Sequence, residues 1–362
     1  MNNIITNEKI IITTTPSGHE KSINVIHVKG THKGPHVHIQ TSVHGSELQG
    51  NLVINGLLTY LKKHEINGSL TLIPLANPMA TDNKISTFTQ GRFHPETGEN
   101  WNRLYQDVSQ YLNLEEIINA QDIKKTAKAA IQKALTKVFN KDSEYGPKSS
   151  SLLAYRLQSL ASKADIVLDL HTGPIATDYL YARKDKKELA RDLNSPHTIL
   201  ITNSFDGAMD EASFMPWNLI EKKCQEEKKD IGLPFEVYTL ELGSEEFISS
   251  KKAKKQANNI INYLSKRNVV KEAIEIEKVE SFESGLENFV SYNVPKGGLV
   301  EFLKSPGDKV EKGEPLYKIF VNSDIGFNEE EVLSLQSGVI INHAPSSALS
   351  QGTCVYQVLN KN

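Results

Sequence analysis

Cysteine is scarce in this sequence. Cys224 and Cys354 are the two that occur in 362 residues, they lie far apart, and neither belongs to a C-x-x-C pair. A disulfide framework or a thiolate zinc site requires more cysteines or closer ones. The sequence therefore predicts two ordinary thiols, buried or half-buried.

Long apolar runs and a strong net charge are missing as well. No segment reaches the roughly eighteen apolar residues of a membrane span, and roughly the first thirty residues lack the basic and apolar stretches of a secretory signal. The net charge of −3 argues against a nucleic-acid partner. The expectation is a cytoplasmic protein that contacts neither membrane nor nucleic acid.

Apolar residues are nevertheless numerous enough for a large core. The chain is 38% hydrophobic and 23% charged, which predicts a globular protein of two domains. Strand-like runs stand at residues 10–14, 22–29, 36–43 and 69–75, and a helix-like pattern at 48–63. A helix that crosses between parallel strands implies a covered sheet, so we expect an α/β fold, a mixed sheet with helices on both faces.

A histidine and a glutamate three positions apart follow the third of these strand runs. The segment is His44-Gly45-Ser46-Glu47, and it stands where the strand run gives way to the helix. At such a junction both side chains can turn toward one metal ion. A single histidine among the 11 of this chain is more often a surface or core side chain, so the pair alone decides little.

Two more strand-like runs end in His171 and Glu241. The His44–Glu47 segment, His171 and Glu241 each stand where an apolar run meets a polar turn with glycine. Open α/β sheets bind their ligands at such positions, outside the carboxyl ends of the strands. His44, Glu47 and His171 together make a three-ligand zinc set with an open position, which leaves Glu241 to move protons. The combination predicts a zinc hydrolase, although cobalt and nickel suit the same ligands.

Three further residues, which lie between Glu47 and His171 in the sequence, are candidates for contacts with a substrate. Asn102 and Arg103 pair an amide with a guanidinium, a usual means of holding a carboxylate by parallel hydrogen bonds. Arg92 could instead point toward a scissile carbonyl, where its charge would stabilise the developing oxyanion. Both arginines could also be surface ion-pair partners. Because these residues accompany a metal motif, we favour contacts with the substrate over surface ion pairs.

The order of these residues resembles the aspartoacylase/succinylglutamate desuccinylase family, which is related to the zinc carboxypeptidases. The matching residues extend over most of the chain and are His44, Glu47, Asn77, Pro78, Arg92, Asn102, Arg103, His171, Glu241 and Gly243. The resemblance implies one zinc ion per chain, with His44, Glu47 and His171 as its ligands. It further implies that Glu241 is the general base.

The same resemblance implies that Arg92 polarises the amide carbonyl and that the Asn102-Arg103 pair binds a substrate carboxylate. The chain departs from the narrower aspartoacylase pattern, which has Asp-Leu before the Asn-Arg pair where this chain has Asn100-Trp101. Residues 93–98 are also expected to give the edge of the substrate pocket a different structure. An aspartate or glutamate headgroup is therefore not implied for the substrate.

Other segments in the middle of the chain allow more than one interpretation. Residues 113–139 combine helical apolar spacing with a charged face, which predicts a solvated packing helix. Residues 202–217 are rich in loop formers and aromatics, and predict either a lid that sets specificity or a mobile surface loop. Asp169, two residues before His171, could orient the imidazole or be a structural polar residue.

The composition changes after a charged linker at residues 269–285. Residues 286–362 hold short β-type runs that repeat, since the run from Gly298 matches the run from Gly338. Such duplication predicts a small C-terminal all-β barrel-sandwich domain, which resembles the lipoyl/biotinyl-carrier fold. A carrier presents a modified lysine between its repeats, and residues 321–332 contain none. The domain is therefore expected to be unmodified.

The sequence thus predicts a zinc-dependent amidohydrolase whose catalytic domain spans residues 1–268. The expected reaction is the deacylation of an N-acyl amino acid or a related small amide. One rival is a carboxypeptidase-type peptidase, which would prefer peptides with free C-termini. The other is a catalytically silent binding protein that uses its β domain for association. The expected partner is a small molecule or short peptide, and a homo-oligomer remains open.

Overall fold

The computed structural model describes residues 3–232 and 234–361 of the chain. The chain divides into two units. Unit 1 consists of Met1–His171, Asn203–Thr239 and Glu246–Glu277, and unit 2 of Thr172–Thr202, Leu240–Glu245 and Lys278–Asn362. The expected division into residues 1–268, 269–285 and 286–362 stays a prediction.

The strands are numbered in chain order. They are β1 Ile4–Thr14, β2 Glu20–Lys29, β3 His32–Thr41, β4 Asn67–Ile73, β5 Lys84–Ile85, β6 Phe88–Thr89, β7 Ile166–Gly173, β8 Ile175–Ala176, β9 Asp178–Arg183, β10 His197–Ile201, β11 Glu236–Ser244, β12 Phe282–Gly285, β13 Phe289–Asn293, β14 Gly298–Phe302, β15 Lys309–Val310, β16 Pro315–Ser323, β17 Gly326–Leu333, β18 Gly338–His343, β19 Ala348–Leu349 and β20 Cys354–Asn360.

The helices follow the same numbering. They are α1 Gln49–Leu61, α2 Pro78–Thr81, α3 Leu114–Ile118, α4 Ile123–Asp142, α5 Ser149–Ala161, α6 Lys187–Ala190, α7 Met209–Glu226 and α8 Ser250–Lys266, with short 3-10 turns at Trp101–Arg103, Ser109–Tyr111, Lys184–Lys186, Arg191–Leu193 and Leu286–Asn288. Of the helices in the described ranges, none combines the length and the apolar character that a bilayer span demands.

The sheet of unit 1 has the strand order β1-β2-β4-β3-β7-β11. β3 runs parallel to β4 and β7, whereas β1 and β2 are antiparallel additions at one side. α1 connects β3 to β4 and buries Val53, Ile54 and Leu57, whose spacing is that of one helix face. The predicted mixed α/β fold is confirmed. Since β3 and β7 are parallel neighbours, their carboxyl ends lie side by side.

The stretch at residues 113–139 is not one continuous helix. α3 and α4 are separated by residues 119–122, and the Asp122 carboxylate accepts the backbone N–H of Lys125 at 2.9 Å. An aspartate in this position caps a new helix, because it satisfies an N–H that has no partner inside the helix. The segment is helical as predicted, but the cap at Asp122 divides it into two helices.

The expected loop at residues 202–217 is wrong over its second half, because α7 begins at Met209. The Glu211 carboxylate accepts two backbone N–H groups just before the helix and fixes its start. Phe214 and Trp217 are each 1% exposed. These aromatic side chains therefore belong to the core and not to a pocket rim.

Unit 2 contains parallel strand pairs and two antiparallel sheets. β10 is parallel to β9 and to β12. The C-terminal strands form sheets in the orders β13-β20-β18-β15 and β17-β16-β14-β19. Their apolar core includes Val300, Leu316, Ile319, Ile340 and Val358. The predicted C-terminal antiparallel β structure is confirmed.

The internal repeat of the β domain is visible in its strands. β14 and β16 of the first copy correspond to β18 and β20 of the second. The turn between β16 and β17 consists of Asp324 and Ile325, so this hairpin presents no lysine at its tip.

A buried carboxylate anchors the start of β11. Glu236 accepts hydrogen bonds from Nε and Nη2 of Arg267, at 2.6 and 2.9 Å, and from the hydroxyls of Tyr238 and Tyr263, at 2.9 and 3.0 Å. Burial raises the pKa of Tyr263, and the Glu236 charge raises it further, so this hydroxyl stays a donor. The network ties β11 to the end of α8.

Replacing Glu236 by glutamine is expected to lower the free energy of unfolding by about 3–5 kcal/mol, because a buried guanidinium loses its counter-charge. The measurement is urea denaturation of the variant and the wild type. Glu330→Gln is the control, since Glu330 pairs with Lys296 on the surface at 2.8 Å and such pairs contribute less than about 1 kcal/mol. Equal small losses in both variants would contradict the expectation.

Candidate metal centre

The loop after β3 bends sharply because of its first residue. Ser42 has a φ of 61°, in the left-handed region that non-glycine residues rarely adopt. Its hydroxyl lies 3.0 Å from the carbonyl oxygen of Glu47 and 2.9 Å from Oδ1 of Asn51. β3 therefore ends at Thr41 instead of continuing to residue 43. The Ser42 hydroxyl holds the start of the loop against its end at Glu47.

Tight packing holds this loop in place. The N–H of Gly45 donates to the carbonyl of Gly91 at 2.9 Å, and a Cβ at Gly45 would lie 2.2 Å from the carbonyl carbon of Ala80. Only glycine fits there. Asn77 donates to the backbone carbonyl just before His44 and also caps α2. The asparagine of the Asn-Pro pair thus positions the histidine's segment.

Three predicted metal ligands meet at the carboxyl ends of β3 and β7. His44 Nδ1 lies 2.8 Å from Oε1 of Glu47, and His171 Nδ1 lies 2.7 Å from its Oε2. The two imidazole centroids are 5.5 Å apart. One ligand atom from each residue lies within 4.8 Å of the others, and all three side chains are buried. The structure therefore brings the predicted ligand set together.

The charges of these groups act strongly on one another. Burial raises the pKa of the Glu47 carboxyl, but the imidazoles of His44 and His171 lower it more, and the net direction is downward. For His171, burial lowers the pKa, whereas Asp169 and Glu47 raise it well above 6.5. The cluster thus favours positive charge at its centre.

Two side chains set the orientation of the imidazoles. His44 Nε2 lies 2.9 Å from Oδ1 of Asn100, an amide oxygen that can only accept, so Nε2 carries the hydrogen. His171 Nε2 lies 2.9 Å from Oδ2 of Asp169. When each ring is neutral, as a metal ligand must be, its Nδ1 lone pair faces Glu47. Asp169 therefore lies against the imidazole, and its role in orienting the ring stays a prediction.

This arrangement passes a simple test for a metal ion. Two nitrogen lone pairs that face one carboxylate at 2.8 and 2.7 Å repel it unless a proton or a cation lies between them. A set of two imidazoles and one carboxylate is the donor set of many catalytic zinc sites. The residues His44, Glu47 and His171 therefore fit a divalent ion.

Arg92 lies beside the three ligands. Its Nη1 is 4.0 Å from Oε1 of Glu47, and its side chain is 54% exposed. The guanidinium is therefore close to the candidate metal centre and still open to a ligand from solvent.

The Asn102-Arg103 pair is linked to the centre through Asn100. Oδ1 of Asn100, which accepts from His44, also accepts the backbone N–H of Asn102 at 2.9 Å. The Asn102 side-chain oxygen accepts the first N–H of α7, at 3.1 Å. Arg103 Nε donates to the exposed Asp206 at 2.9 Å, and its side chain is half-exposed. A substrate carboxylate at Arg103 would take the place of Asp206.

Glu241 lies on β11, the neighbour of β7 in the sheet, and is half-buried. It belongs to unit 2, whereas the three ligands belong to unit 1. Its role as a general base stays a prediction.

Asn100 and Gln40 are the site residues that sequence reasoning missed. Gln40 donates to Oδ1 of Asp169 at 3.1 Å and supports the carboxylate behind His171. A polar residue within the buried half of a strand was the available signal for Gln40. For Asn100 the signal was its position, where the narrower family pattern has an aspartate.

The sequence model of the succinylglutamate desuccinylase/aspartoacylase catalytic domain matches residues 33–267. This range includes the three ligands, Arg92, the Asn102-Arg103 pair and Glu241. None of the curated proteins compared matches the chain.

Several solved structures are similar to this one. A succinylglutamate desuccinylase/aspartoacylase-type protein from Shewanella frigidimarina NCIMB 400 is 32% identical, with 99% of this chain and 98% of that one covered and a TM-score of 0.91. A family protein from Shewanella amazonensis SB2B is 34% identical, with coverage of 98% and 99% and a TM-score of 0.91. One from Rhodobacter sphaeroides, 18% identical, covers 100% and 96% at a TM-score of 0.71 and shares the fold.

Proposed function

Because the chain belongs to the succinylglutamate desuccinylase/aspartoacylase family of hydrolases, we propose that it is a zinc-dependent amidohydrolase that removes the acyl group from an N-acyl amino acid or a related small amide. The observation that carries the proposal is the buried set of His44, Glu47 and His171, whose donor atoms lie within 4.8 Å of one another. The scarcity of cysteine fits a reducing compartment such as the cytoplasm.

His44, Glu47 and His171 would hold the ion, which supplies a Lewis acid and lowers the pKa of water when bound. Asn100 and Asp169 keep the two imidazoles oriented for this task, since each contacts the Nε2 atom that faces away from Glu47. The chain's own contribution to the centre is thus a preformed donor set of two imidazoles and one carboxylate.

The proton transfers of the reaction are assigned to Glu241. Its carboxylate would accept a proton from the attacking water and then donate it to the leaving amine. Arg92, 4.0 Å from Glu47 and half-exposed, would place positive charge near the carbonyl oxygen as negative charge develops there. Both assignments rest on the family resemblance and on the order of the residues.

Recognition of a substrate carboxylate is assigned to Arg103 and Asn102. Replacing Arg103 by lysine is expected to raise KM about 10- to 100-fold for substrates with a free carboxylate, because a planar two-bond contact becomes a point charge. The measurement is steady-state kinetics with an N-acyl amino acid and with its carboxamide. The carboxamide should show no change, and Arg156→Lys, at an exposed position of α5, is the matched control. An equal effect on both substrates would contradict the role.

A substrate panel tests the proposed reaction itself. N-acyl amino acids are expected to be hydrolysed faster than short peptides with free C-termini. The opposite preference would favour a carboxypeptidase-type peptidase. A zinc-loaded protein that hydrolyses no amide would overturn the proposal and favour a binding function.

A further inference from the structure

A row of buried polar side chains leads away from the metal centre along one face of the sheet of unit 1. His38 and Gln40 lie two positions apart on β3, so they share this face, and Asp169 is the partner of Gln40 in the parallel register of β3 and β7. All three residues are fully buried. A polar side chain at such depth costs free energy unless it is hydrogen-bonded, so the contacts of this row need an explanation.

The contacts of the row have one direction. The Gln40 amide donates from Nε2 to Oδ1 of Asp169 at 3.1 Å, because a carboxylate can only accept. Its oxygen Oε1 therefore faces His38, whose Nε2 lies 3.0 Å away and must carry the hydrogen. The other carboxylate oxygen, Oδ2 of Asp169, lies 2.9 Å from Nε2 of His171. Asp169 is thus held between a neutral donor on one side and the candidate metal ligand on the other.

His38 is suited to its position as a neutral donor. Burial lowers the pKa of its imidazole to about 4, although the hydrogen bond with Gln40 and the Asp169 charge act in the opposite direction. The ring is therefore neutral at pH 7 and carries its hydrogen on Nε2. Its Nδ1 atom has no hydrogen-bond partner among the described residues. The polar contact of this ring with the row is thus its donation to Gln40.

Tyr105 adds a contact from outside the sheet. Burial raises the pKa of this phenol well above its ordinary value, the Asp169 charge raises it further, and a hydrogen bond with Gln40 lowers it. The phenol therefore stays protonated, close to both Gln40 and Asp169. Gln40 is the residue that the others share, because it contacts His38, Asp169 and Tyr105.

We propose that Gln40 is a positioning residue of the metal centre, which fixes the Asp169 carboxylate against His171 and thereby raises the affinity of the site for its ion. This inference rests on the proposed function, since it takes His171 to be a metal ligand. The partners behind a ligating histidine hold its ring and its tautomer, and their loss typically weakens metal binding about 10- to 100-fold. Without the Gln40 amide, the buried carboxylate loses a donor and is free to turn away from His171.

The zinc affinity of the protein measures this effect without requiring turnover. We would determine the Kd of zinc by competition with a chelator for the wild type and for Gln40→Met, whose side chain has a similar length and cannot donate. The expected result is a Kd about 10-fold higher in the variant. Gln158→Met is the matched control and should keep the wild-type Kd. Gln158 is also buried, and it makes two hydrogen bonds with the backbone of Gln106, at 3.0 and 2.7 Å.

A double-mutant cycle separates positioning from a general loss of structure. If Gln40 acts through Asp169, Gln40→Met should change the zinc Kd by less than about twofold in the Asp169→Asn background. His38→Phe leaves the Gln40 amide in place but removes its donor, so it should raise the Kd by a smaller factor than Gln40→Met. This second variant keeps the inference testable if Gln40→Met does not fold.

Two results would overturn the inference. One is a wild-type zinc Kd in Gln40→Met, or in His38→Phe if Gln40→Met does not fold. The other is an equal increase of the Kd by Gln40→Met in the wild-type and Asp169→Asn backgrounds, because Gln40 would then act independently of Asp169. Failure of the proposed function looks different. A wild type that binds zinc but hydrolyses no amide would refute the proposed function alone, whereas a wild type that binds no zinc would refute both.

Discussion

Replacing Glu47 by glutamine is expected to abolish metal binding and amide hydrolysis together. The Glu47 carboxylate lies within 2.8 Å of both imidazoles, and a neutral amide in its place supplies a weaker ligand and no charge. The loss of Lewis-acid stabilisation, several kcal/mol, corresponds to on the order of 10³-fold in rate. The measurement combines metal analysis of the purified variant with turnover of an N-acyl amino acid.

Glu144→Gln provides the matched control, because Glu144 is an exposed glutamate outside the candidate centre. It should retain the metal and the activity of the wild type. Circular dichroism on the Glu47 variant separates loss of the ion from loss of the fold. A Glu47→Gln protein with a full complement of metal and normal turnover would show that this carboxylate is not a ligand.

Replacing Glu241 by glutamine should separate the two effects, with the metal retained and turnover lost. A glutamine side chain cannot accept the proton of the attacking water, and general acid–base groups typically contribute about 10²- to 10⁴-fold. The decrease should appear in kcat, since the substituted side chain has nearly the shape of the original. We would measure kcat, KM and metal content on the same preparation.

Glu245→Gln, four positions later and beyond the end of β11, is the control for a general effect of charge removal in this segment. It is expected to keep the wild-type kcat. Loss of the metal in Glu241→Gln would make Glu241 a ligand and not a base. Unchanged turnover with the metal present would remove it from the mechanism.

The residues that local sequence could identify are those at the ends of apolar strands. Each of the three metal ligands, His44, Glu47 and His171, follows a run whose alternation or apolar character predicts a strand. Parallel strands bring such positions to one edge of the sheet. The structure confirms that the three lie together. Their grouping follows from the parallel pairing of β3 with β7.

The partners that orient the ligands were harder to predict. Asn100 contacts His44 from 56 positions away in the sequence, through a segment of irregular structure around a 3-10 turn. No periodic pattern specifies the path of such a segment, because its conformation depends on tertiary hydrogen bonds. Asp169 was easier to find, since residues two apart on a strand share a face.

Capping side chains account for the errors in secondary structure. The cap at Asp122 divides a helical pattern that was continuous in its apolar spacing. Glu211 starts α7 inside a segment whose glycine, aspartate and proline content suggested a loop throughout. In both places one hydrogen-bonded carboxylate fixes the start of a helix at a position that apolar spacing and composition do not indicate.

The burial of individual aromatic side chains was also beyond composition-based reasoning. Residues 202–217 were expected to form a lid or a surface loop, but Phe214 and Trp217 of this segment lie in the core.

Elemental analysis of the purified protein, beside a His44→Ala variant, tests most directly whether His44, Glu47 and His171 hold a metal ion. We expect about one zinc ion per chain in the wild type and none in the variant, with both proteins folded by circular dichroism. A wild type that is free of metal and also refuses added zinc, cobalt and nickel would contradict the metal-dependent mechanism.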